Sequence, residues 1–153
     1  MKLNFGCGKT LLEGYINYDK YQKGTGITYI DLEKPLPFDN NSVDEIVMNH
    51  TIEHINNEYQ LVVECHRILK KDGVLKIRVP TTSHTYAHVR PVHTFAYYHG
   101  LTGNARLKYG QNKPLFDIKV KGHLRSLMFC YYRLRNWFYN KIYDEWEYEM
   151  VKR

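Results

Sequence analysis

The sequence predicts an α/β domain built on a mostly parallel sheet. Three observations carry that expectation. Short runs of strand-forming residues recur at close spacing over residues 1–80, and one strong helical pattern falls between the last two of them. The first run leads directly into Gly6-Cys7-Gly8. Glycines in that place allow positive φ and, lacking Cβ, let a ligand lie against bare backbone. In an open α/β sheet it is the crevice beyond the carboxyl ends of the strands, where ligands bind.

Each element has its own signal. Leu3 and Phe5 alternate with Lys2 and Asn4, giving the first strand. Tyr15-Ile-Asn-Tyr-Asp19 reads as a second strand ending in an acid. The interval between Gly8 and Asp19 is too short for the usual crossover helix, so that helix is expected to be shortened or missing. Ile27–Ile30 is a third strand, closed by Asp31-Leu32. Pro35 and Pro37 then forbid regular structure, and Asp39–Ser42 is a turn cluster. Val43–Met48 is the fourth strand, followed by Asn49-His50-Thr51-Ile52-Glu53-His54.

Asn57 with Gln60 resembles a capping box, and Leu61, Val62, Cys65, Ile68 and Leu69 then fall on one helical face. Lys70 and Lys71 are expected in the last helical turn, with Asp72-Gly73 ending it. Val74–Val79 is the fifth strand, stopped by Pro80. Beyond it, residues 100–110 read as a loop, 116–120 as a strand, and 124–143 as a helix with Leu127, Cys130, Tyr131, Leu134, Trp137 and Phe138 on one side. Residues 145–151 alternate strictly and read as a final strand.

Length and charge narrow the class. At 153 residues the chain is expected to form one domain, 1–153. The formal charge of +6 is uneven: residues 1–80 hold 10 Lys/Arg and 11 Asp/Glu, and residues 81–153 hold 12 and 5, with 15 of the 22 aromatics. The first part reads as a balanced core, and the second as a basic, aromatic surface suited to an anionic partner, a lipid face or a subunit interface. Cys7, Cys65 and Cys130 are far apart with no C-x-x-C pair, which argues against a disulfide framework or a zinc knuckle and for a reducing compartment. No apolar run approaches 18 residues and no secretory leader is recognisable, so a cytoplasmic location is expected.

Taken together, the motifs resemble the class I S-adenosylmethionine (SAM)-dependent methyltransferases. They are most similar to a small subgroup, of the methyltransferase type 11 kind, whose first motif reads L-N-L-G-C-G. The residues that carry this are Leu3-Asn4-Phe5-Gly6-Cys7-Gly8, Gly14–Asp19, Leu36-Pro37-Phe38, Ser42–Ile46, Glu53-His54, Glu64–Lys70, Gly73 and Val79-Pro80. The resemblance covers residues 1–80 well and is loose beyond them. It implies a Rossmann-like class I methyltransferase sheet with an antiparallel last strand, residues 1–80 holding the cofactor and 81–153 forming the acceptor side.

Carried across residue by residue, the resemblance implies a SAM site. Gly6, Cys7 and Gly8, with the flanking Asn4 and Phe5, approach the methionine part of SAM. Asp19 takes the ribose hydroxyls, Asp31 and Leu32 face the adenine, and Asn49 and His50 flank the methionine moiety and the sulfonium. Asn4 stands where the subgroup has an acid, and Thr10 where it has a third glycine.

Methyl transfer from a sulfonium is an in-line displacement that depends on alignment more than on a nucleophilic residue. A hydroxyl acceptor gains from a general base, and histidine titrates in the right range. His54 is the first choice and His93 the second, with His50, His84 and His88 as further candidates. His84 and His88 share helical spacing but lack a third ligand in register, so no metal site is expected.

The expected function is therefore methyl transfer to a small-molecule or glycan/lipid-linked acceptor. The rivals are a nucleic-acid or protein methyltransferase, and a catalytically silent methyltransferase-like binding subunit. A nicotinamide enzyme is disfavoured because position 11 is Leu rather than glycine. Expected partners are a small or anionic acceptor and a second copy of the chain, with peripheral membrane contact through 124–143 and nucleic acid less favoured.

Overall fold

A computed structural model describes residues 1–80, 116–123 and 145–152. It contains strands β1 (Lys2–Phe5), β2 (Ile16–Asp19), β3 (Ile27–Tyr29), β4 (Val43–Asn49), β5 (Leu69–Pro80), β6 (Phe116–His123) and β7 (Glu145–Lys152). A 3₁₀ turn, Ile52–His54, and helix α1, Glu58–Ile68, lie between β4 and β5. The strands form one sheet in the order β3-β2-β1-β4-β5-β7-β6. Pairings from β3 through β5 are parallel, and β7 runs antiparallel to both β5 and β6. The expected α/β sheet, mostly parallel with an antiparallel last strand, is the one observed.

Strand alternation separates two faces. Leu3, Phe5, Ile46, Met48, Leu75, Ile77, Tyr148 and Met150 are buried on one of them, with Leu61, Val62, Cys65 and Ile68 of α1 in the same core cluster. Phe5, Tyr18 and Phe38 add a trio of ring contacts with centroids 5.7–6.1 Å apart. The other face is polar. Glu45 receives Lys76 Nζ at 2.6 Å, the Tyr15 hydroxyl at 2.7 Å and Lys2 Nζ at 3.1 Å. Further along the sheet, Arg78 pairs with Glu147 at 2.8 Å and Lys119 with Glu149 at 3.8 Å.

The missing first helix is confirmed, and its replacement is visible. Residues 6–15 cross from β1 to β2 as turns, with Thr10 N–H donating to Cys7 O and Tyr15 N–H to Leu12 O. Buried Asn4 donates through Nδ2 to Thr10 O and to Asn17 Oδ1. Buried Asn17 accepts from Leu12 N–H and donates to Leu12 O and Tyr15 O. Two asparagines thus satisfy loop backbone that a helix would have satisfied internally.

Helix α1 starts as expected, with Asn57 Oδ1 accepting from Gln60 N–H at 3.2 Å. Its end differs from expectation. The helix closes at Ile68 and Leu69 is already extended, so Lys70 and Lys71 lie outside it. Leu69 pairs with Val43, the register then shifts, and pairing resumes at Glu45 and Val74. The positive φ of this bulge sits on Asp72 (+62°), not on Gly73. Gly73 is needed for space instead, since a Cβ there would lie 2.8 Å from Lys70 O.

The Pro-rich passage between β3 and β4 is clamped to α1. Arg67 donates to Phe38 O, Leu36 O and Asn40 Oδ1, each at 2.8–2.9 Å, and is held by Glu64, which also accepts from Leu36 N–H. The expected helix over 124–143, the loop over 100–110, and His84, His88 and His93 lie outside the described residues.

Two stability predictions follow from these contacts. Arg67→Ala should cost about 2 kcal/mol, since charged hydrogen bonds are lost and two carbonyls released; urea unfolding measures it. For Glu45, burial pushes the carboxyl up, but its bonds to Lys76, Tyr15 and Lys2 prevail and lower it to about 2. A carboxyl depressed in the folded state adds stability above its unfolded value of about 4.3, and that stability disappears as pH falls through the folded one. The stability gap between wild type and Glu45→Gln should therefore be full at neutral pH and close between about pH 4.5 and pH 2. Thermal unfolding across that range checks it.

Candidate active-site cleft

The chain leaves β1 outward to β2 and β3, then returns to β4 on the other side of β1. This switch point opens a crevice at the carboxyl ends of the strands. A cleft of about 490 Å³ lies there, lined by Gly6, Asp19, Ile30, Asp31, His50 and Thr51 among others. Its size is that of a small-molecule site.

Gly6 has φ +65°, and a Cβ on it would lie 2.4 Å from the Thr51 side chain. Thr51 Oγ1 in turn lies 3.2 Å from Phe5 O, 3.4 Å from Gly6 O and 3.1 Å from Asn49 O, tying the end of β4 to the end of β1. Glycine is required here for both conformation and space. His50, the next residue of the junction, also takes a positive φ of +51° and anchors its N–H on Arg78 O at 2.9 Å.

Asp19 sits at the end of β2 and is buried. Its Oδ1 accepts from Tyr21 N–H and Gln22 N–H, and its Oδ2 from Gly8 N–H, all at 2.8 Å. Burial pushes this carboxyl up, but the backbone donors of Gln22, Tyr21, Gly8 and Lys20 outweigh it and hold it below its ordinary value. A carboxylate offers about four acceptor positions, so Oδ2 keeps capacity for a ligand hydroxyl.

Asp31 accepts from Glu33 N–H at 3.2 Å and Lys20 Nζ at 3.1 Å, which lower its carboxyl in that order. Glu33 Oε1 accepts both the N–H and the side-chain amide of Asn56, closing the cleft beside Ile55. The lining thus carries Asp19, Asp31 and Glu33 against Lys20, a surplus of negative charge.

Of the residues expected at a site, Gly6, Asp19, Asp31, Leu32, His50 and His54 line this cleft. Asn4, Phe5, Cys7, Gly8 and Asn49 are not among its lining. Asn4 is committed to Asn17 and Thr10, and the Phe5 ring is core. Cys7 is buried, with its thiol pushed up by burial and by the charge of Asp19, which keeps it protonated. Gly8 contributes its N–H to Asp19, and Asn49 its carbonyl to Thr51. His93 lies outside the described residues.

The lining also contains Lys20, Tyr21, Ile30, Glu33, Thr51, Ile55 and Asn56, which the sequence reading had not assigned to the site. Lys20 and Tyr21 were discoverable as the continuation of Asp19. The Glu33–Asn56 bridge joins separate loops and leaves no local pattern.

The residues present suit an adenosyl sulfonium ligand. Gly6 offers backbone without Cβ, Asp19 retains an acceptor position, Ile30, Leu32 and Ile55 supply apolar wall, and the excess acid suits a cation. Among the described residues no three His, Cys, Asp or Glu side chains are placed to hold a metal ion. No helix among them is long and apolar enough to cross a membrane.

Comparison with known proteins agrees with this geometry. Residues 16–77 match the family model of the methyltransferase domain. No curated protein matches the chain by sequence. Its fold is similar to that of a SAM-dependent methyltransferase from Archaeoglobus fulgidus, with TM-score 0.63, 15% identity, and 99% of this chain and 85% of that one covered. It is also similar to SAM-dependent methyltransferases from Thermotoga maritima (TM-score 0.60, 14% identity, 99% and 82% covered) and Mesorhizobium loti (0.57, 14%, 99% and 90%). Residues 16–77 thus match a methyltransferase domain, and the sheet around them has the fold of the SAM-dependent methyltransferases.

Proposed function

We propose that the chain binds SAM in the β1–β4 cleft and transfers its methyl group to a small-molecule or glycan/lipid-linked acceptor. The observation that carries this is the convergence of Gly6, Asp19 and His50 on one acidic cleft at the switch point. When bound, SAM supplies a methyl group on a positively charged sulfur.

The chain's own residues do the rest. Asp19 Oδ2 takes a ribose hydroxyl while its other bonds keep the Gly8 loop and the Tyr21 turn in place. Ile30 and Leu32 bracket a planar base, and Lys20 holds Asp31 at its edge. The acids Asp19, Asp31 and Glu33 favour a cationic ligand over a neutral one. The Gly6–Thr51 contact fixes the floor beneath the reacting centre, and such fixed alignment is worth roughly 7–11 kcal/mol of barrier. The acceptor enters beside His50 and His54, and the basic composition of residues 81–153 would favour an anionic group on it. As the acceptor's bond to carbon forms and the sulfur–carbon pair leaves with sulfur, the acceptor's proton passes to a base at this end.

Calorimetry with SAM and S-adenosylhomocysteine tests the cofactor. Micromolar binding is expected for the wild type. Asp19→Ala should abolish it or weaken it at least tenfold, and Gly6→Ala should do the same by driving a Cβ into Thr51. Absence of heat and of a thermal shift with either ligand would overturn the reading.

A further inference from the structure

We propose that Thr51 is a positioning residue for one part of the ligand: its hydroxyl sets where the Gly6 backbone lies, and with it the binding of the ligand's amino-acid tail but not of its nucleoside. The inference rests on reading that ligand as SAM, and goes beyond it by assigning a residue to one segment of the molecule.

The argument begins where the strand ladder stops. β1 and β4 pair from Lys2 with Glu45 to Phe5 with Met48, and the register ends there. Beyond that rung each strand end is tied outward. Asn49 pairs with Arg78 on the far side of β4, and Cys7 N–H donates to Tyr18 O on the far side of β1. Thr51 spans the opening between them. Its Oγ1 lies 3.1 Å from Asn49 O, 3.2 Å from Phe5 O and 3.4 Å from Gly6 O. A hydroxyl has one proton to donate, so a single O–H is shared among three carbonyls, two of them on the β1 side.

The second observation is what Thr51 gives up. It occupies the N-cap of the 3₁₀ turn, where a threonine hydroxyl ordinarily accepts from a backbone N–H of the first turn. Its side chain makes no such bond. The turn is closed by backbone instead, with His54 N–H donating to Thr51 O at 3.0 Å. Thr51 is 8% exposed, and its Cγ2 and Oγ1 both stand 2.4 Å from where a Cβ on Gly6 would be. The side chain is thus turned wholly toward β1, with its hydroxyl on the carbonyls and its methyl in the space that glycine leaves open.

The order of the strands divides the ligand. Asp31 follows β3, Asp19 ends β2, Gly6 follows β1 and Thr51 follows β4, and all four line the cleft in that sequence across the sheet. Neighbouring strands lie about 4.8 Å apart. A nucleoside with its base at Asp31 and its ribose at Asp19 therefore carries the sulfur and the amino-acid tail over Gly6. The nucleoside end is held independently of Thr51, by the β2–β3 ladder and by the bonds of Asp19 to Gly8, Tyr21 and Gln22. The tail end meets Gly6 backbone, and hydrogen bonds to backbone weaken steeply when distance or angle slips. Thr51 acts through Gly6.

The test compares S-adenosylhomocysteine with 5′-methylthioadenosine by calorimetry. Both have the base, the ribose and an uncharged sulfur, and the second lacks the amino-acid tail. Thr51→Val keeps the shape and removes the hydroxyl. It should weaken S-adenosylhomocysteine about tenfold, the worth of one buried hydrogen bond, and leave 5′-methylthioadenosine within about twofold of wild type. Thr51→Ser, which restores the hydroxyl, should recover S-adenosylhomocysteine binding. Asp31→Asn should weaken both ligands alike. Urea unfolding run in parallel shows that the variants are folded. Equal losses for the two ligands in Thr51→Val, no loss for either, or no recovery in Thr51→Ser would overturn the proposal. If Thr51→Val does not fold, NMR of the wild type with methyl-labelled threonine decides: the Thr51 methyl resonance should move with S-adenosylhomocysteine and stay with 5′-methylthioadenosine, and equal shifts refute the assignment. If the wild type binds neither ligand nor SAM, the SAM reading itself fails and the proposal goes with it.

Discussion

Joining two parallel strands without a helix leaves loop backbone that must find hydrogen bonds elsewhere, and the Asn4–Asn17 contact meets that constraint. Asn4 Nδ2 reaches Asn17 Oδ1 at 2.8 Å, and between them the two amides hold Thr10, Leu12 and Tyr15. The loop so fixed begins with Gly6, Cys7 and Gly8, so the floor of the cleft depends on a pair of side chains that never face the ligand. Asn4 stands in the slot where the family resemblance leads one to look for a ligand-binding acid, and its hydrogen bonds run instead to the loop.

Asp19 works in both directions. Three of its acceptor positions hold Gly8, Tyr21 and Gln22, and what remains faces the cleft. Loss of its carboxylate would therefore loosen two loops as well as remove a ligand contact. Comparing Asn with Ala at this position separates the two contributions, because an amide oxygen can still accept from part of that set.

Much of the architecture was legible from pattern. Period-2 runs located the strands to within a few residues, and the spacing of Leu61, Val62, Cys65 and Ile68 marked the buried face of α1. The short interval before Asp19 announced the missing helix. The end of α1 was misread because Asp72-Gly73 has the composition of a helix stop, whereas the turn is a bulge inside β5. At the site, residues adjacent to a strand end were readable. Thr51, Glu33 and Asn56 were not, since their partners come from β1 and from separate loops.

The short crossover also bears on how the sheet is assembled. Parallel strands are slow to pair when a long connection must close first, because chain entropy opposes the contact. Leu3 meets Ile16, and Asn17 meets Ile27, across loops far shorter than a helical crossover. The β1–β2–β3 half, which carries Gly6, Asp19 and Asp31, is thus the more local part of the fold. The contacts of β5 with β7, from Val74 with Val151 to Pro80 with Glu145, join residues 65–77 positions apart. The cofactor-side strands can form before the antiparallel end is in place, and the crevice at β4 closes when the slower half docks.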